Sequence, residues 1–312
     1  MREASVSIVA PAYNHEGYVK RCLVSVAKQN VPHMQLIIID DVSNDNTCKI
    51  IEELIRDKNF SVKFDGGIIF LKHEVNKGAF NTINEGLQIA SGDYLTIINT
   101  DDYYGENRLK LLLEACENNH TEFAFGGVNV INQYDRAIES GYGKEILKYQ
   151  YLIEKVPTVS MALAHSNCAI STGNMIFSKK LYEQLGGFEN YKYVHDWDFA
   201  LRACLVTEPS YVSDAKYYYR IHEGNTITEI QQENKNPNAL ENPKEGKTVG
   251  IAPLVRYFID IMNGKHTNEK IPSVKVWEYF VNCKKYYHDD DGIVWAWERA
   301  KQLKDENFEL TI

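Results

Sequence analysis

Apolar positions in the first hundred residues alternate between two rhythms. Val6–Ala10 is a short run rich in β-branched residues, punctuated by Pro11 and Asn14, and it predicts a strand. Tyr18–Gln29 then places Val19, Cys22, Leu23 and Val26 at helical spacing. Leu36–Ile39 is a continuous apolar run, as expected of a strand covered on both faces. Asp40, Asp41 and Ser43 follow its end. The pattern next predicts a helix over Asp45–Asp57 with Asp45 as N-cap, and a strand over Ile68–Leu71. A helix over Ala79–Ala90 ends at Ser91-Gly92-Asp93. It leads to a strand over Tyr94–Ile98 and a helix over Asn107–Asn118.

Strand and helix in strict alternation predict an α/β fold with an open, mostly parallel sheet and helices on both faces. Ligands of such sheets sit beyond the carboxyl ends of the strands. The polar clusters Pro11–Asn14, Asp40–Asp41 and Asn99–Asp102 all fall at those ends.

Beyond Glu122 the pattern thins. Phe123–Ile131 predicts a strand, and Tyr142–Val156 reads as a polar, aromatic mobile loop. Lys179–Leu185 predicts a helix ended by Gly186-Gly187, Asp198–Val206 another helix, and Ser210–Ile221 one strand or two. Residues 229–248 are polar, contain prolines and lack an apolar period, so they read as a linker or surface loop. The expected organisation is a domain over 1–228, that linker, and a C-terminal helical extension over 249–312.

The chain has 312 residues, 44% hydrophobic and 25% charged, which is ordinary globular composition and excludes a mainly disordered protein. Lys and Arg number 34 against 43 Asp and Glu, for a net charge of −9. That balance argues against sequence-independent nucleic-acid binding, which depends on a basic surface. No apolar run reaches the ~20 residues that span a bilayer, and the first residues carry no signal-peptide pattern. A cytoplasmic protein is expected, with peripheral contact at the inner membrane face left open. The 6 cysteines form no CxxC pair and read as reduced, mostly buried thiols.

Two pairs of adjacent acids stand out, Asp40-Asp41 and Asp101-Asp102. Adjacent carboxylates repel, and a divalent cation between them and a phosphate relieves that repulsion. Their oxygen ligands suit Mg²⁺ or Mn²⁺. An isolated Asp-Asp is more ordinarily a solvated turn, but two such pairs each end a buried strand here. Neither GxGxxG nor GxxxxGK[ST] occurs, so the usual glycine-rich phosphate loops are missing.

The segments SVSIVAPAYNHEGYVKRCLVSVAKQ, LIIIDDVSNDNT and NKGAFNTINEGLQIASGDYLTIINTDD resemble successive blocks of the family 2 glycosyltransferases, which have the GT-A fold. TGNMIFSKKLYEQLGGFENYKYVHDWDFALR resembles their acceptor-side segment and YYYRIHEGNT their closing block. The resemblance covers residues 5–228. It implies that Ala10, Tyr13 and Asn14 line a nucleotide pocket. Asp41 would accept from the nucleobase, with Asn76, Lys77 and Asn84 beside base and ribose. Asp101 would contact ribose or water, and Asp102 would be the main metal ligand, with Mn²⁺ or Mg²⁺ as the ion. Arg220 belongs to the donor side, and His222 approaches the diphosphate or the metal. Asp196 would be the catalytic base. Gly173, Asn174, His195 and Trp197 fall on the acceptor side. Asn99 stands where many relatives carry the first Asp of an Asp-x-Asp pattern.

Other features have plainer readings. Asp198 is the candidate cap of its helix, and Trp197 either stacks on a sugar or packs in the core. His73 and His165 read as structural or exposed. Asp289-Asp290-Asp291 is a solvated charge run. Trp277, Trp295 and Trp297 fit amphipathic helices that pack on the main domain or on a second copy.

The resemblance thus implies an inverting glycosyltransferase that takes a sugar from a nucleotide-diphospho-sugar, UDP-linked in the leading case, to a glycan or lipid-linked acceptor. Two other classes compete. A nucleotidyltransferase would release pyrophosphate, but it usually needs a Gly- and Lys-rich loop that APAYNHEGYVK lacks. A binding module without turnover would hold nucleotide diphosphates and transfer nothing.

Overall fold

The computed structural model describes residues 3–191, 194–223, 243–281 and 291–304. Eight strands form one sheet in the order β3-β2-β1-β4-β7-β6-β8-β5. They are β1 (Val6–Ala12), β2 (Met34–Asp40), β3 (Ile68–Lys72), β4 (Tyr94–Ile97), β5 (Tyr103–Tyr104), β6 (Phe123–Asn132), β7 (Met175–Ser178) and β8 (Ser210–Ile221). β1, β2, β3 and β4 pair in parallel, as do β6 and β8. β7 is antiparallel to both β4 and β6. Those two reversals cancel, so β6 and β8 point the same way as β1, β2 and β4.

Two apolar layers cover the sheet. Along β2, Leu36 and Ile38 face one layer while Ile37 and Ile39 face the other, which is why this strand reads as an unbroken apolar run. One layer contains α1 (Val19–Ala27), α2 (Thr47–Arg56), α3 (Lys58–Ser61), α5 (Arg108–Asn119) and Ile146 of α6 (Tyr142–Tyr151). The other contains α4 (Gly78–Ile89), α7 (Val159–His165), α8 (Lys179–Leu185) and α9 (His195–Cys204). It continues into α10 (Pro243–Met262), α11 (Val274–Val281) and α12 (Asp291–Leu303). The C-terminal helices therefore share a core with α9. Phe258 meets Trp277 edge-on at 5.3 Å and Trp297 at 5.0 Å, and both indoles are fully buried. Trp295 is exposed.

Several predicted elements shift. Tyr142–Val156 is not a loop: α6 occupies most of it, followed by a 3₁₀ turn over Leu152–Glu154. Its polar Gln150 is buried and accepts from the Val128 amide while donating to the Gly126 and Cys168 carbonyls, so a polar side chain does interior work there. α9 begins at His195 rather than Asp198. Asp198 caps nothing and instead pairs with Arg202 one turn on. α2 begins at Thr47, whose amide donates to Asp45. α10 already includes 243–248, the last six residues of the expected linker. Residues 229–242, Asp289 and Asp290 lie outside the described residues. The described cysteines are all free thiols. Among the described residues no helix is long and apolar enough to cross a membrane.

Candidate active site

The parallel course of β1, β2, β4, β6 and β8 delivers five chain segments to one edge of the sheet. They are the turn after Ala12, the turn after Asp40, the Asn99–Asp102 turn, the end of β6 and His222 after β8.

Asp101 is the centre of that edge. Its Oδ2 lies 3.1 Å from His222 Nε2. Ligand-capable atoms of His15, Asp101 and His222 all lie within 4.8 Å of one another. His15 Nδ1 is 2.7 Å from Thr100 Oγ1. The His222 ring lies beside Tyr18 at 5.0 Å. Burial pushes the Asp101 carboxyl up, but the His222 hydrogen bond and the positive potential of both imidazoles more than offset it, so Asp101 falls below the usual range. Burial also lowers His15, which favours the neutral ring. Two imidazoles and an ionised carboxylate are a donor set that fits a divalent transition ion.

Asp102 is different in kind. Its Oδ2 accepts from the Tyr217 hydroxyl at 2.6 Å and its Oδ1 from the Arg220 amide at 2.7 Å. Burial, then the neighbouring Asp101 charge, pushes its carboxyl well above the usual range. The environments of the adjacent acids thus push their carboxyls apart, Asp101 down and Asp102 up. Asp102, expected to be the main metal ligand, has both oxygens engaged inside the protein.

Asp41 sits in a cradle of donors. Lys77 N and His73 Nδ1 reach its Oδ1 at 2.8 and 2.7 Å, and Gly78 N reaches Oδ2 at 2.8 Å. Gly78 has φ +79°, a conformation that favours glycine. Asn76 donates to the Asp41 carbonyl, and Lys77 Nζ pairs with Glu85. A carboxylate has about four acceptor positions, so this arrangement leaves one lone pair of Oδ2.

Asp196, in the first turn of α9, accepts from Asn167 Nδ2 at 2.8 Å and from the Trp197 amide at 2.8 Å. Burial raises its carboxyl, against the lowering effects of His195 and Asn167. Asn167 also accepts from the Ile170 amide, and the adjacent Ser171 hydroxyl accepts from Asn99 Nδ2 at 3.0 Å. Three hydrogen bonds and the peptide link between Ile170 and Ser171 therefore connect Asp196 to the turn that carries Asp101.

Other expected site residues serve the frame. Ala10 is fully buried in the apolar core. Tyr13 is exposed on the edge turn. Asn14, at φ +53°, fastens that turn to the next one through Ser43 and Asn44. Asn84 brackets Phe188, donating to its carbonyl and accepting from its amide. Arg202 holds the carbonyls of Leu185 and Gly187 in the same loop.

Arg220 is buried under the acids. Its guanidinium donates to the Asp101 and Asn132 carbonyls, pairs with Asp135 and lies 4.6 Å from the Tyr18 ring centre. Gly173 and Asn174, expected toward the acceptor, are buried. A Cβ on Gly173 would meet the Tyr217 hydroxyl at 2.0 Å, so the glycine makes room for the bond to Asp102. Asn174 ties Gly126 to Ala169. Trp197 takes the packing role, its indole N–H donating to Leu163 O at 2.6 Å. His195 lies within 3.2 Å of the Tyr191 carbonyl.

Sequence reasoning missed His15, His73, Thr100, Asn167 and Tyr217. The only signal for His15 was its place directly after Tyr13-Asn14. His73, expected to be structural or exposed, has its side chain buried against Asp41.

The description "Glycosyl transferase family 2" matches residues 7–186. The chain is 28% identical over 209 residues to WfgD of Escherichia coli, named a UDP-Glc:alpha-D-GlcNAc-diphosphoundecaprenol beta-1,3-glucosyltransferase, across 67% of this chain and 72% of WfgD. It is 25% identical over 229 residues to the glycosyltransferase GlyA of Streptococcus pneumoniae, across 70% of this chain but only 31% of GlyA. Among solved structures, S. aureus TarS 1-349 in complex with UDP-GlcNAc is similar in fold, with a TM-score of 0.58 at 18% identity over 95% of this chain and 79% of TarS 1-349. The mannosyltransferase PcManGT of Pyrobaculum calidifontis, in complex with GDP-Man and Mn²⁺, gives 0.58 at 13% identity over 97% of this chain and 74% of that one. With the matched residues making up more than half of the sequence, the chain is a glycosyltransferase belonging to family 2.

Proposed function

We propose that this protein transfers a sugar, with inversion, from a UDP-sugar to a hydroxyl of a glycan or lipid-linked saccharide. The observation that carries the proposal is the connection from Asp196 through Asn167, the Ile170–Ser171 backbone and Asn99 to the turn of Asp101. It joins a buried carboxylate of raised pKa to an ionised one flanked by imidazoles.

On the donor side, Asp41 accepts the N3–H of uracil through the remaining lone pair of Oδ2. Lys77 and Gly78, which hold Asp41, set the angle of that contact. Asp101 and His222 hold the divalent ion, a role that passes from Asp102 to Asp101. Nitrogen in the donor set favours Mn²⁺ over Mg²⁺, which prefers oxygen. The ion's contribution is to neutralise charge on the departing diphosphate.

On the acceptor side, Asp196 takes the proton of the attacking hydroxyl as its oxygen bonds to the anomeric carbon and the bond to the diphosphate breaks. Such general-base help is typically worth ~10²–10⁴-fold. Asn167 and the Trp197 amide aim the carboxylate. WfgD is named for UDP-Glc and TarS 1-349 was solved with UDP-GlcNAc, which supports the choice of nucleobase by likeness.

The test is a thermal-shift panel of UDP-, dTDP- and GDP-sugars with Mn²⁺ or EDTA, followed by transfer assays on the stabilising donor. Selective, EDTA-sensitive stabilisation by UDP-sugars is expected. Pyrophosphate release from a nucleoside triphosphate and a sugar phosphate would instead mark a nucleotidyltransferase.

A further inference from the structure

We propose that His15, presented by the turn after β1, is a third protein ligand of the divalent ion at Asp101 and His222, and that Thr100 sets its tautomer. This rests on the metal reading above and extends it to the N-terminal turn.

The Thr100 hydroxyl has a single proton and lies 3.0 Å from the Pro11 carbonyl, which can only accept. With that proton on the carbonyl, Thr100 Oγ1 accepts from His15 Nδ1 across their 2.7 Å contact. A neutral imidazole protonated at Nδ1 keeps its lone pair on Nε2. Ligand-capable atoms of the His15 ring, the Asp101 carboxylate and the His222 ring lie within 4.8 Å of one another, and with Nδ1 engaged by Thr100 the proposal assigns Nε2 of His15 to the ion. A second partner that fixes the tautomer and ring direction of a metal-binding histidine is the usual arrangement of such sites.

The backbone under His15 is fixed as well. Asn14 N donates to Ser43, His15 N to Thr47 Oγ1 at 2.8 Å, and Glu16 N to Asp45. In return Asn44 N donates to Asn14, and Asn46 donates to Glu16 through both its amide and its side chain. Three successive residues are thus laced to the turn after β2. The imidazole is placed before any donor arrives, so ordering it adds little cost to ion binding. The turn after β1 would then join the ion directly to the segment that carries Asp41.

The experiment uses the full chain with Mn²⁺ alone. Titrations followed by EPR give affinity, and pulsed EPR reports coupled imidazole nitrogens. Two histidine rings are expected on the ion in the wild type and one in His15→Ala, with affinity at least ~10-fold weaker. Thr100→Val is expected to weaken binding ~10–100-fold, and Thr100→Ser, which keeps the hydroxyl, to restore it. Wild-type affinity with two coupled rings in His15→Ala overturns the assignment while leaving the metal reading in place. Equal affinity in Thr100→Val and wild type overturns the tautomer argument. Wild-type protein that binds no more Mn²⁺ than Asp101→Ala removes the metal reading itself. Should His15→Ala fail to fold, the wild-type ring count decides alone: two supports the proposal and one overturns it.

Discussion

Tyr217 donates its hydroxyl to Asp102 across 2.6 Å, through space that Gly173 leaves open. The bond explains why adjacent acids at a strand end have unlike roles. Asp102 is a buried carboxyl inside a hydrogen-bonded frame, and Asp101 is the one turned to the imidazoles. Asp102→Asn keeps the shape and an acceptor for Tyr217 or Arg220. It is expected to keep Mn²⁺ affinity near wild type, whereas Asp101→Asn loses it. Titration of both variants checks this, and the reverse ranking would return the ligand role to Asp102.

The same bond has a stability signature. Tyr217→Phe leaves a buried carboxyl one donor short, at an expected cost of about 1–3 kcal/mol in urea unfolding. The raised carboxyl of Asp102 gives a pH signature too. The folded state binds its proton more tightly than the unfolded state does, so this group's contribution falls as pH climbs from the ordinary carboxylate range toward the raised value. The difference in stability between wild type and Asp102→Asn should change in that window and flatten below it.

Asn84 holds Phe188 by both its amide and its carbonyl. Asn84→Ala is expected to cost roughly 1–3 kcal/mol, since two backbone groups lose their partner. It should raise the KM for acceptor while leaving nucleotide affinity unchanged. Calorimetry with UDP alongside acceptor kinetics separates these, and a selective loss of UDP binding would place Asn84 in the donor pocket after all.

Asn167 donates to Asp196 and so favours the charged form. The active form of a general base is deprotonated, so activity falls on the acid side as pH drops through the raised pKa of Asp196. Asn167→Ala removes a lowering influence and should move that acid limb to higher pH. An acid limb that stays in place would separate Asn167 from the base.

Trp297 is fully buried and packs edge-on against Phe258 at 5.0 Å. Trp297→Ala is expected to cost ~3–5 kcal/mol by opening a cavity. Because the C-terminal helices share the core that holds α9, a single cooperative unfolding transition is expected. Two resolved transitions would make the extension an independent unit.

Much of the first half was legible because its signals are local. Alternating periods marked β1 to β4 and their helices, and strand ends in a parallel sheet dictate where polar clusters gather. Asp41 and Asp101 are marked by their place at strand ends, whereas Asp196 and His222 rest on the family resemblance. What stayed hidden depends on partners far apart in the chain. Tyr217 lies 115 residues from Asp102, and Asn84 lies 104 from Phe188. Nothing near Arg220 announces that its guanidinium is spent on the Asp101 and Asn132 carbonyls. α6 was read as a loop because Gln150 looks like a surface residue until its three backbone partners are seen.

The central claim is that a single cleft holds the donor at Asp101 and deprotonates the acceptor at Asp196. The most direct test compares Asp196→Asn with wild type on the stabilising UDP-sugar, measuring donor affinity and kcat on the same preparation. The account predicts unchanged donor affinity with kcat lower by ~10²–10⁴-fold. Full turnover in Asp196→Asn, or loss of donor binding in step with loss of turnover, would contradict it.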